Sequence, residues 1–85
     1  MGAGKSPLAE QTKLVLQELI DRPDHRVERR KLLSKYWGEF DPFDLDRIVA
    51  TLEASGAITV SSNRKTYILT QATLEQYTRY RAELQ

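Results

Sequence analysis

The sequence predicts a mostly helical α+β domain: three helices, a small β-hairpin and one extra C-terminal helix. Three observations carry this prediction. Four segments repeat apolar residues at spacings of three and four, the mark of one buried helical face. After Gly56 the apolar period drops from about 3.6 to 2, the mark of a strand. Proline and glycine fall between the periodic segments, where helices start and stop.

The first helix is expected over Pro7–Asp21. Ser6-Pro7 reads as a cap followed by proline at the first helical position. Leu8, Thr12, Val15, Leu16, Leu19 and Ile20 then share one face, and Pro23 ends the segment. Leu14 points off that face and needs another cover. His25-Arg26-Val27 is long enough only for a brief strand. The second helix is expected over Glu28–Trp37. Leu32, Leu33, Tyr36 and Trp37 gather on one side, Arg30, Lys31, Ser34 and Lys35 on the other, and Gly38 stops it.

The third helix, Pro42–Ser55, has the fullest start signal. Asp41 stands at the N-cap, Pro42 at the first helical position and Asp44 at the third, with Phe40 and Leu45 spaced as a hydrophobic staple. Leu45, Ile48, Val49 and Leu52 form its inner face. Phe43, Arg47, Ala50, Thr51 and Ala54 form its outer face. Gly56 supplies a left-handed cap. Ile58–Ser61 and Thr66–Leu69 then alternate around the polar, basic turn Ser62-Asn63-Arg64-Lys65. A last helix, Gln71–Leu84, carries Thr73, Tyr77, Tyr80 and Leu84 on one face. Leu16, Leu19, Leu33, Trp37, Leu45, Ile48, Leu52, Ile58, Val60 and Leu69 are expected to form the core.

With 85 residues the chain makes one domain, spanning residues 7–85 behind a flexible leader of residues 1–6. It has no cysteine, which excludes disulfides and thiolate metal sites and fits a cytoplasmic or nucleoid-associated protein. No apolar run reaches the roughly 20 residues of a membrane span. The net charge of +1 conceals a segregation. Between Arg22 and Lys35, six basic residues face two acidic ones; between Glu39 and Glu53, five acidic residues face Arg47 alone.

The succession of helix, short strand, helix, tight turn, helix, glycine, hairpin and helix resembles the winged-helix superfamily over about Leu8 to Leu84. The resemblance rests most on Leu52-Glu53-Ala54-Ser55-Gly56-Ala57-Ile58 and on Tyr67-Ile68-Leu69-Thr70. These look like the family's third helix with its glycine stop, and its returning wing strand. The resemblance implies DNA binding, by a transcription or replication accessory domain. The third helix would enter the major groove with Arg47 and Thr51, and the wing would touch the backbone through Arg64 and Lys65. Arg30, Lys31, Ser34 and Lys35 would add phosphate contacts that position without specifying.

The sequence departs from that pattern in its acids. Asp41 and Asp44 serve as caps, but Asp46 has no capping role and would repel phosphate. Winged helices also bind proteins, and here Phe43, Arg47, Ala50 and Ala54 would be the docking face. Both readings stand at this point.

Other signals are weaker. Gly4-Lys5-Ser6 lacks the earlier glycine and the strand of a phosphate-binding loop. Residues 1–6 satisfy the myristoylation pattern, which is itself a loose one. His25 has no second histidine or cysteine with which to hold zinc. Asp41, Asp44 and Asp46 miss the calcium-loop spacing. No nucleophile stands in a catalytic setting, so no enzyme activity and no cofactor are expected. Tyr36 and Trp37 are expected in the core rather than stacked on bases. Tyr77 and Tyr80 are expected against the first helix near Leu14, leaving a monomer that belongs to a larger protein or assembly.

Overall fold

The computed structural model describes residues 8–84, with side chains through Arg79. The element order is α1 (Ala9–Asp21), β1 (Arg26–Glu28), α2 (Arg29–Lys35), α3 (Pro42–Ala54), β2 (Ile58–Val60), β3 (Thr66–Leu69) and α4 (Gln71–Leu84). The chain is therefore α+β, with four helices and one three-stranded antiparallel sheet among the described residues. The expected start of the first helix at Ser6-Pro7 lies outside the described residues.

The sheet order is β1-β3-β2. The predicted hairpin pairs Ile58 with Leu69 and Val60 with Tyr67. The brief strand after Pro23 adds to the other edge of β3, pairing Val27 with Tyr67 and Glu28 with Thr66. His25 makes the corner that permits this. Its φ of 54° is left-handed, its carbonyl accepts the Leu69 amide at 2.9 Å, and its Nδ1 lies 3.0 Å from the Leu19 carbonyl.

The core is one cluster: Val15, Leu19, Val27, Leu32, Phe40, Leu45, Ile48, Val49, Leu52, Ile58, Tyr67 and Leu69. Six of the ten expected core residues belong to it. Leu16, Leu33 and Val60 are only partly buried and pack against its margin. Trp37 contradicts the expectation, being 82% exposed. The reason is local. Strand β1 retains Glu28, so α2 starts late, and it ends at Lys35 when Tyr36 leaves helical geometry (φ −117°, ψ 33°). That turn directs Trp37 outward. Phe40 takes the inner place, its ring centroid 5.8 Å from that of Tyr36.

Two devices fix the helices. At the end of α3, Gly56 (φ 83°) donates to the Glu53 carbonyl at 3.1 Å, and Ala57 donates to that of Leu52 at 2.9 Å. This is a Schellman cap, and it turns the chain into β2. Between α1 and α2, the buried Glu18 carboxylate accepts from Lys35 Nζ (2.8 Å), the Tyr36 hydroxyl (2.9 Å) and Arg22 Nε (2.9 Å). Burial alone would raise its pKa, but these three donors outweigh it and hold the carboxyl below its ordinary range. The same contacts raise Lys35, chiefly through its bond to Glu18.

Thr73, Gln76 and Tyr77 of α4 line an open groove with Leu16 and Ile20 of α1. The Tyr80 side chain lies outside the described residues.

Candidate functional site

The site is organised by α3, whose surface divides into an inner face, an outer face and two flanks. Asp41 starts the helix by accepting the Asp44 amide at 2.8 Å, as its cap position predicts. From that start, helical periodicity turns Leu45, Ile48, Val49 and Leu52 into the core. It leaves Phe43, Arg47, Ala50 and Ala54 exposed on the opposite side, Phe43 by 80%. Thr51 and Arg47 border a groove against the start of α1, shared with Leu8, Ala9 and Thr12.

The other flank of α3 faces the hairpin and carries two acids. Asp46 accepts Arg29 Nε and Nη2 at 3.2 and 3.4 Å, a two-pronged pair from the start of α2. This bond, ahead of the opposing effect of desolvation, raises the Arg29 pKa. Glu53, two turns further along, accepts Arg64 Nη2 at 3.2 Å from the hairpin loop. Asp46 thus has a structural partner that its position in the sequence does not reveal. Between the two pairs lies a cleft lined by Arg29, Asp46, Val49, Arg64 and Tyr67. Burial raises the Tyr67 pKa, with Arg29 pulling the other way, so its hydroxyl stays neutral at ordinary pH.

The hairpin loop is held by its own side chains. Ser61 Oγ donates to Asn63 Oδ1 at 2.6 Å, and the same Asn63 oxygen accepts the Lys65 amide at 3.0 Å. Arg64 adopts φ 59°, a left-handed conformation uncommon for a residue with a Cβ. The Lys65 carbonyl accepts the Arg29 amide at 2.8 Å, tying the base of the hairpin to the start of α2. In consequence Glu28, Arg29, Arg30 and Lys65 line a single groove.

The basic residues singled out in the sequence therefore fall into two groups. Arg30, Lys31, Arg47 and Lys65 are exposed, and their side chains have no hydrogen-bond or ion-pair partner among the described residues. Ser34 is exposed beside them on α2. Lys35 and Arg64 are engaged within the molecule, with Glu18 and Glu53. Arg26 and Arg29 join the basic surface without being marked as site residues by the sequence pattern. Arg26 is exposed on β1, and Arg29 bridges α2 to α3. The alternation of Arg26 and Glu28 about the buried Val27 was the available signal for the first. Nothing local signals the second, since its partner is 17 residues away.

Among the described residues no group of histidine, cysteine, aspartate or glutamate side chains is arranged to hold a metal ion. No described helix is long and apolar enough to cross a membrane. Comparison of the chain with protein-family models, with curated proteins and with solved structures finds no match.

Proposed function

We propose that the chain is a winged-helix DNA-binding module, with α3 as the recognition helix and the β2–β3 hairpin as the wing. One observation carries the reading. The hydrogen bond from Arg29 to Lys65 joins the wing base to α2, so the unpaired cations Arg30 and Lys65 border the same groove. A polyanion crossing that groove would meet both charges, with Lys31 exposed on the same helix. In this reading the wing also reaches the flank of α3, where Arg64 donates to Glu53 at 3.2 Å. Arg47 and Thr51 on α3 would then meet base edges, and the cations would meet phosphates. The two engaged cations, Lys35 and Arg64, contribute less to the unbound surface than their charge suggests. In this reading the chain is a binding module without catalytic activity of its own, acting in the cytoplasm or on the nucleoid.

Fluorescence anisotropy with a labelled duplex at two salt concentrations tests the proposal. Binding is expected below about 100 μM at low salt. Removing Arg30 or Lys65 should weaken binding evenly across sequences and lower the salt slope by about 1 each. Arg47→Ala should cost about 1–3 kcal/mol on a preferred site and relax preference there. No duplex binding below about 100 μM at low salt would end the DNA reading.

A second reading has its own support. Phe43 is 80% exposed beside the small side chains of Ala50 and Ala54, a face that would suit a protein partner. If α3 docks a protein, bulky residues at Ala50 or Ala54 block that partner, while loss of Lys65 has no effect.

A further inference from the structure

The two acids on the hairpin flank of α3 are spaced seven residues apart, which puts them on one side of the helix two turns from each other. Each holds a guanidinium from a different element. A carboxylate offers a guanidinium two anionic acceptor oxygens, as a phosphodiester does through its two non-bridging oxygens. The pairs differ in the number of bonds and in the exposure of the arginine. Arg29 makes two bonds to Asp46 and is 35% exposed; Arg64 makes one bond to Glu53 and is 61% exposed. Arg64 also sits in a left-handed backbone conformation in the hairpin loop, so the segment that carries it is held by its neighbours rather than by its own preference.

We propose that Glu53 acts as an internal stand-in for phosphate, latching Arg64 and with it the hairpin loop against α3 until a DNA backbone displaces the carboxylate. This inference rests on the DNA-binding reading above. On it, Asp46–Arg29 is the fixed pair that sets the spacing of α2 and α3, and Glu53–Arg64 is the exchangeable pair. Binding transfers Arg64 from carboxylate to phosphate and leaves Glu53 to solvent. The wild-type affinity is thereby lower than the cations alone would give. The effect is bounded by what an exposed ion pair contributes, roughly a two- to fivefold change in affinity.

The experiment has two arms. In the free protein, arginine side-chain NMR of the wild type and of Glu53→Gln should show the Arg64 guanidinium signals shifted, with those of Arg29 unchanged. In the bound state, anisotropy with a short labelled duplex should show Glu53→Gln binding roughly two- to fivefold more tightly than wild type. The gain should vanish when Glu53→Gln is made in an Arg64→Ala background. Unchanged Arg64 signals in Glu53→Gln overturn the latch and leave the DNA reading standing. An equal gain with and without Arg64 also overturns it, because the carboxylate then acts by simple repulsion. Absence of duplex binding by the wild type ends the DNA reading itself, and the displacement with it.

Discussion

Trp37 is a residue whose sequence and structure disagree. Its spacing from Leu33 fits a buried helical face, but spacing has meaning only while the helix lasts, and α2 stops at Lys35. Exposed by 82%, the ring contributes little to folding. Trp37→Ala should change unfolding free energy by less than about 0.5 kcal/mol in urea denaturation. A buried tryptophan in its place would cost about 3–5 kcal/mol, and a loss of that size would contradict the exposed position. Asp46 errs in the opposite sense. It reads as a misplaced charge because its partner Arg29 is far away in the sequence and close only in the fold. Single residues were legible where their partner was local, as with Asp41 and the Asp44 amide. They were not where the partner came from another element.

Helices and strands were read more reliably, because each is specified by a repeating pattern and by its ends. The pattern and stop of α3 appear in the structure with the predicted cap, inner face and glycine turn. Its inner face is the sternest test of that pattern. Leu52 is 5% exposed and sits one turn before the Schellman cap, so Leu52→Ala should cost about 2–5 kcal/mol, measured by thermal or urea unfolding. A loss below about 1 kcal/mol would mean that neighbouring side chains close the cavity. The short elements were less legible. Strand β1 has only three residues, and α2 only seven, too few for periodicity to fix a boundary. Their limits are set by pairing with β3, which no local pattern encodes.

At the scale of the whole molecule, the Glu18 network couples α1 to α2 and gives the fold an acid limit. A carboxyl whose folded pKa lies below its unfolded value contributes stability that is fully present above the unfolded value, about 4.3. That contribution is lost as pH falls through the lower, folded value. Glu18→Gln should therefore be less stable than wild type by about 1–3 kcal/mol at neutral pH, with the gap closing below about pH 4 in denaturation measured across pH. A gap that stays constant down to pH 2 would show that the carboxylate charge is irrelevant. The α+β class was legible in the sequence, since it follows from the order of periods. The grouping of Arg30 with Lys65 was not, because the Arg29–Lys65 hydrogen bond joins segments 36 residues apart. The position of β3 has a further consequence, for the time at which the fold can form. The central strand of the sheet is the last to be synthesised, and it brings Tyr67 and Leu69, both part of the core. Until Thr66–Leu69 have been made, the core lacks Tyr67 and Leu69, and β1 and β2 have no β3 to pair with. Fragments ending before Thr66 should remain protease-sensitive, and those that include Leu69 should become resistant together, in one step.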